Sequence, residues 1–238
     1  MKFYCAWYCP FAQRVWLALL LKRIVFEYIE VDPYQRSDWW LAVSRMTAKV
    51  PVIVVPNNIS SGETTVIESA RILEYLDDRI PNVHPLLPQD ANERAEQRYW
   101  MDYIDKAILP YFYRFLKAKD KGEYRENSKD LMLIGLKHIA QAMAKRGPFF
   151  YGSQITIVDI MLAPFAYRID VLLRHYREFN LPQYGKPWLR YQHWYRSALE
   201  EPAFSATSTD HQGYQQRLID FYLPYSKGEG QKDVTVIN

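Results

Sequence analysis

The stretch KFYCAWYCPFAQRVWLALLLKR, residues 2–23, decides how the rest of the chain is read. A short apolar run at residues 2–6 leads into Trp7-Tyr8-Cys9-Pro10. Apolar residues then recur at helical spacing (Phe11, Val15, Leu19). The first pattern predicts a strand and the second a helix over 10–23. Proline suits the first turn of a helix, where its missing N–H costs nothing. Cys9 therefore falls between a strand and a helix, at a helix N-terminus. A sulfur placed there faces unpaired amides and the positive end of the helix dipole. Such sites lower a thiol pKa from about 8.5 to between ~3.5 and ~7.5, which makes thiolate available at neutral pH. The alternative is a small buried hydrophobe, as many cysteines are; the strand–Cys-Pro–helix setting favours reactivity.

Three residues after Cys9 stands Ala12, not a second cysteine. A dithiol oxidoreductase resolves its mixed disulfide with its own second thiol. This chain lacks that partner in the C-x-x-C position, so an external thiol must supply the second sulfur. The only other cysteine, Cys5, lies on the first strand, where a buried structural role is expected. A Cys5–Cys9 disulfide would require the backbone to bend.

Working outward, residues 24–31 alternate like a strand, 37–45 read as a helix, and VPVIVV at 50–55 reads as a buried strand. NNISSG at 57–62 is turn chemistry, followed by a short strand at 64–67 and a helix over 68–79. The order β-α-β-α-β-β-α, with one crossover and one hairpin turn, predicts a mixed four-stranded sheet. Three prolines in PNVHPLLP, residues 81–88, mark a linker. Beyond it the patterns are helical: 92–118 with a kink at Pro110, 127–145, 156–175, 187–200 and 212–222. Thr156-Ile157-Val158-Asp159 has the form of a capping box. The chain thus reads as an α/β domain over 1–80, a linker at 81–90, an all-helical domain over 91–225 and a tail at 226–238. The final VTVIN could dock as a short extended piece.

Composition narrows the function. A net charge of +3, evenly spread, argues against a nucleic-acid partner. The apolar run near residues 15–21 is bounded by Arg14 and Lys22, and is too short to span a bilayer. The opening residues do not form a secretory signal, and two cysteines are too few for a disulfide framework. A reducing intracellular setting follows as the expectation. The five histidines (84, 138, 175, 193, 211) lack metal-ligand spacing, and no Walker or Rossmann glycine pattern occurs. No metal or nucleotide is expected.

Glu68-Ser69 opens a helix. Its free amides and Ser hydroxyl suit an anion such as an α-carboxylate, while the Glu can face an ammonium; plain N-capping is the alternative. Val50-Pro51 precedes a strand. Taken together, Cys-Pro-Phe-Ala-Gln-Arg (9–14), Lys-Val-Pro-Val (49–52) and Glu-Ser-Ala-Arg-Ile-Leu-Glu-Tyr-Leu-Asp (68–77) resemble the cytosolic glutathione transferases. The Cys-Pro-Phe-Ala form is similar to the omega class, whose nucleophile is cysteine. The resemblance extends to the Thr156–Asp159 segment and leaves the tail unmatched.

That resemblance implies a thioredoxin-like N-terminal domain, with Cys9 catalytic and glutathione as cosubstrate. It implies that Glu68 and Ser69 hold the γ-glutamyl end, and that the Val50 backbone pairs with the cysteinyl part, with Pro51 in cis. Arg36 would meet the glycyl carboxylate, with Phe11 and Lys49 adjoining the same ligand. Arg36 stands where the omega pattern has Lys, and Met46-Thr47-Ala48 before Lys49-Val50 also departs from it. An apolar substrate site between the domains would draw on Phe11, Tyr103 and Tyr167. The implied activity is glutathione-dependent thiol transfer, deglutathionylation or dehydroascorbate reduction, with a role in detoxification. The implied setting is a cytoplasmic homodimer whose partners are small thiols, glutathione conjugates and hydrophobic ligands, without nucleic acid or membrane. A non-catalytic carrier of phenolic or other hydrophobic ligands is the rival reading. A channel-like, membrane-inserting relative of the same fold is a weaker one.

Overall fold

The computed structural model describes residues 1–57, 62–208 and 213–229. These separate into two compact units, Met1–Gln89 and Asp90–Asn238.

In the first unit, β1 (Lys2–Cys5) leads to α1 (Pro10–Leu21), then β2 (Glu27–Glu30) and α2 (Asp38–Val43). The strands β3 (Val52–Pro56) and β4 (Glu63–Ile67) follow, and α3 (Ser69–Arg79) closes the unit. The sheet has the order β2-β1-β3-β4. Strand β1 runs parallel to β2, with Cys5 opposite Glu30, and antiparallel to β3, with Tyr4 opposite Val52. Strands β3 and β4 are antiparallel, with Val52 opposite Ile67. This is the mixed, thioredoxin-like sheet that the sequence predicts. The period-2 alternation of strands sends Tyr4, Val52 and Val54 to the face that packs against Trp40 of α2. Phe3 faces the other side, in edge contact with Tyr28, on which Trp16 of α1 also packs.

Strand β2 is shorter than the alternating stretch 24–31, and Val25, just before it, is almost fully exposed. Pairing with β1 begins only at Glu27, so alternation alone overestimates the strand. Of the turn expected at 57–62, residues 58–61 lie outside the described residues.

The segment read as a linker is anchored. Lys22 Nζ, at the end of α1, pairs with Asp77 Oδ1 at 2.7 Å. It also donates to the carbonyls of Ile80 and Val83, at 2.8 and 3.0 Å. Asp77 in turn accepts the amides of Leu86 and Leu87, at 2.8 and 3.0 Å.

The second unit is helical: α4 (Ala91–Tyr103), a π-helical segment (Ile104–Ile108), α5 (Leu109–Lys117), α6 (Glu123–Ala142), α7 (Ile157–Arg177), α8 (Lys186–Glu200), α9 (Pro202–Ser208) and α10 (Tyr214–Ser226). The expected irregularity at Pro110 is absorbed one turn earlier, in the π segment, so Pro110 sits near the start of α5. Helix α9 was not anticipated; its seven residues, PAFSATS, are too few to show a period. The capping box opens α7. The buried Asp159 carboxylate accepts the Thr156 amide at 2.7 Å, the Thr156 hydroxyl at 2.8 Å, the Phe150 amide at 2.8 Å and the Trp194 indole N–H at 2.8 Å. The extended piece expected at 234–238 lies outside the described residues.

Candidate functional site

The sheet register brings three separated segments to one end of the first unit. Strands β1, β2 and β4 finish there and β3 begins there, because Cys5, Glu30, Val52 and Ile67 occupy the same end of the pairing. The loop to Cys9 leaves β1, the Val50-Pro51 pair enters β3, and Glu68-Ser69 leaves β4.

Cys9 is the N-cap residue of α1, with extended backbone (φ −77°, ψ 117°) and Pro10 in the first turn. Its amide closes a turn onto the Ala6 carbonyl at 2.8 Å, and its carbonyl accepts the Gln13 amide at 3.0 Å. Its side chain makes no capping bond. The half-buried sulfur lies 3.9 Å from the Val50 carbonyl oxygen, across a cis Val50–Pro51 bond. Cys5 is only 1% exposed, and burial pushes its thiol well up.

Two residues outside the sequence reading shape this end. Glu30 accepts the Trp7 amide at 3.0 Å and also a bond from the Tyr28 hydroxyl, which fixes the turn before Cys9. Its position at the end of a short strand gave no signal. Arg14 of α1 is fully buried, and its Nη1 donates to Ser69 Oγ at 3.3 Å. Its guanidinium lies over the Phe11 ring, 5.0 Å from the centroid. A charge inside an apolar helical run was the available signal.

Ser69 is the first residue of α3 and only 6% exposed, while Glu68 before it is exposed. Glu68 has φ 71° and ψ 119°, a left-handed backbone that favours glycine. Strained non-glycine residues gather at ligand sites, where surrounding structure enforces them. Arg36 and Lys49 are exposed, in the turn before α2 and just before Val50. Tyr34, near Arg36, stacks on Tyr8, with ring centroids 6.4 Å apart. Burial raises the Tyr8 phenol well above its ordinary range.

The two remaining expected contacts belong to the helical unit. Tyr103 of α4 is half-buried beside Tyr99, Trp100 and His138. Tyr167 of α7 is 6% exposed and packs against Phe204 and Tyr214; burial pushes its phenol up to about 12. Among the described residues, no group of three or more His, Cys, Asp or Glu side chains is placed to hold a metal ion. No helix among them is long and apolar enough to cross a membrane.

Residues 8–79 match the glutathione S-transferase N-terminal domain, and residues 124–197 match its C-terminal domain. Pyrimidodiazepine synthase of Drosophila melanogaster is 30% identical over 87% of this chain and 79% of its own length. The chain belongs to the glutathione S-transferase family. Glutathione S-transferase U1 of Arabidopsis thaliana is 34% identical over 65% of each chain, so the match spans just under two thirds of that plant relative. Among solved structures, glutathione transferase Omega 3C from Trametes versicolor superposes with a TM-score of 0.77 at 28% identity, covering 94% of this chain and 89% of its own. Rice GST1, solved in complex with glutathione, has a TM-score of 0.77 at 27% identity, covering 92% and 95%. The curated relatives are mostly tau-class transferases, while structural neighbours include omega-class ones.

Proposed function

We propose that this family member is a glutathione-dependent thiol transferase of omega type, working through a Cys9–glutathione mixed disulfide. The observation that carries the reading is the placement of Cys9. Its sulfur sits at the N-terminus of α1 beside the Val50 carbonyl, with Ala12 where a resolving cysteine would stand.

The Cys9 thiolate attacks the glutathionyl sulfur of a mixed disulfide R–S–S–G. The Cys9–S–G bond forms, the sulfur–sulfur bond of RS–SG breaks, and the departing R–S thiolate takes a proton from water. A second glutathione thiolate then attacks the glutathionyl sulfur of Cys9–S–G, releasing glutathione disulfide and restoring the Cys9 thiolate. The sum is R–S–S–G plus glutathione giving R–SH plus glutathione disulfide. Dehydroascorbate would take the same two electrons from two glutathione molecules.

The exposed Glu68 carboxylate faces the ligand ammonium, and Ser69 with the α3 N-terminus takes the γ-glutamyl carboxylate. The Val50 backbone, presented at Pro51, pairs with the cysteinyl part. Arg36 meets the glycyl carboxylate, in bidentate form where geometry allows, with Lys49 adding positive charge. Phe11, Tyr103 and Tyr167 are each proposed contacts for an apolar acceptor. A cytoplasmic homodimer belongs to the same proposal.

The test is intact mass after incubation with glutathione disulfide. One glutathionyl group is expected on the unsubstituted protein and on Cys5→Ala, and none on Cys9→Ser. Thiol-transfer turnover surviving in Cys9→Ser would sink the mechanism.

A further inference from the structure

Between α2 and Val50 the backbone takes a costly route. Arg45, Met46 and Ala48 have φ of 50°, 65° and 53°, a region that favours glycine. None of the chain's glycines lies before Gly62. One left-handed residue after a helix is an ordinary way to end it. Three within four positions exceed what ending α2 requires, and such strain persists only where surrounding structure enforces it. The stretch Met46-Thr47-Ala48 is also where the sequence departs from the omega pattern.

The enforcement centres on Ser44, which is fully buried. Its hydroxyl has one proton and donates it to the Trp40 carbonyl, at 2.6 Å. The same oxygen is therefore the acceptor for the Ala48 amide, at 3.0 Å. The Ser44 carbonyl takes the Thr47 hydroxyl at 2.7 Å and the Thr47 amide at 3.1 Å. Thr47 Oγ1 accepts the Lys49 amide at 3.3 Å, and the Met46 amide goes back to the Leu41 carbonyl at 2.7 Å. The amides of Met46, Thr47, Ala48 and Lys49 are thus all spent inside the turn. The Val50 amide, next in line, has no partner among the described residues.

We propose that Ser44 is a positioning residue for the Val50 backbone: through its hydroxyl and its carbonyl it holds the strained turn, so that the Val50 amide and carbonyl are presented together to the ligand's peptide backbone. This rests on the reading of Val50 as the partner of the cysteinyl part of glutathione. Packing carries the restraint forward. Ala48 is 5% exposed and belongs to the cluster of Tyr4, Trp40, Val52 and Val54, against which Val50 also packs. Trp40 serves twice, its carbonyl anchoring Ser44 and its side chain filling that cluster. A backbone fixed before binding loses less conformational freedom when ligand arrives.

The experiment measures dissociation constants by calorimetry for S-methylglutathione and for a counterpart whose γ-glutamyl–cysteinyl amide is an ester. The ester lacks the cysteinyl N–H, the donor to the Val50 carbonyl, and neither ligand has a free thiol to react with Cys9. The unsubstituted protein is expected to prefer the amide by about five- to tenfold, the effect of one backbone hydrogen bond. Ser44→Ala should weaken the amide ligand by about the same factor and leave the two ligands within about twofold of each other. A preference kept in Ser44→Ala, whether both ligands weaken equally or neither weakens, overturns the proposal. If circular dichroism shows Ser44→Ala to be unfolded, Thr47→Val decides. It removes the hydroxyl that ties the Ser44 carbonyl to the Lys49 amide and keeps nearly the same shape; loss of the preference supports the proposal and its retention overturns it. An unsubstituted protein that binds both ligands equally overturns the reading of Val50, and this inference with it. One that binds neither overturns the glutathione reading itself.

Discussion

Cys9 Sγ and the Val50 carbonyl oxygen lie 3.9 Å apart although 41 positions separate the residues in the chain. The sheet makes this meeting. Tyr4 of β1 is registered opposite Val52 of β3, so the loop leaving β1 and the Pro51 turn entering β3 share one end. A slip of one residue would turn each strand inside out. The Cys9 sulfur is therefore positioned by the core packing of Tyr4, Val52 and Val54 as well as by its own loop.

Alkylation should distinguish the two thiols. Cys9 is half-buried at a helix start, whereas Cys5 is 1% exposed with its thiol pushed up by burial. Brief treatment of the native protein with iodoacetamide near neutral pH is expected to add one label, on Cys9. Peptide mapping checks this, and labelling of native Cys9→Ser at a comparable rate would contradict it.

Cys5 should also mark the alkaline limit of stability. Its folded pKa is raised above the unfolded one by burial, with the Tyr28 hydrogen bond acting in the opposite sense. Its stabilising contribution is thus complete below the unfolded pKa of about 8.5 and is lost as pH rises above that value. Each unit of pH beyond that point removes up to about 1.4 kcal/mol until the folded thiol ionises. Urea midpoints for the native protein should fall more steeply between about pH 8.5 and 10 than those of Cys5→Ala, whatever the two absolute stabilities. Parallel slopes would refute the assignment.

Glu68 is expected to exchange stability for binding. Its φ of 71° costs a non-glycine residue about 1–2 kcal/mol, and glycine gives back roughly 0.4–1 kcal/mol through the unfolded chain. Glu68→Gly should therefore be more stable by up to about 1 kcal/mol while its KM for glutathione rises tenfold or more, through loss of the ammonium partner. Thermal unfolding and initial rates read the two effects separately. A variant that is both less stable and equally active would remove the argument.

The Lys22–Asp77 pair should behave as a buried clasp. The side chains are 0% and 6% exposed, so Lys22→Met leaves Asp77 as an uncompensated buried charge and is expected to cost about 3–5 kcal/mol. Removing Asp77 as well should not restore stability, because the Leu86 and Leu87 amides lose their acceptor. Urea unfolding of Lys22→Met and of the Lys22→Met/Asp77→Leu double variant tests both statements. Full recovery in the double variant would show that the amides find other partners.

The order of elements in the first unit was legible from residues 2–79, because strand and helix periods are local properties. The placement of Cys9 at a helix start was legible too, since it follows from Cys9 and Pro10 being neighbours. The capping box at Thr156 and Asp159 was readable for the same reason: both bonds span three residues. Helix α9 was not, because its seven residues are fewer than the roughly 11–18 over which a helical period shows. Nor could a pattern show that the kink near Pro110 would be taken up in a π segment.

Arg14 and Lys22 show where local reading ends. In the sequence they are charges bounding an apolar run, and their exposure would be the simplest assumption. In the structure both are fully buried: Lys22 meets Asp77, and Arg14 meets Ser69, 55 positions away. The sequence by itself determined that a Cys-Pro pair opens a helix, with Ala12 where a second cysteine would stand. Only the tertiary structure decided which carboxylate, hydroxyl and carbonyl stand around that helix. Those partners are brought together by strand register and by packing of α1 with α3, and a buried charge selects its partner only once the chain has closed around it.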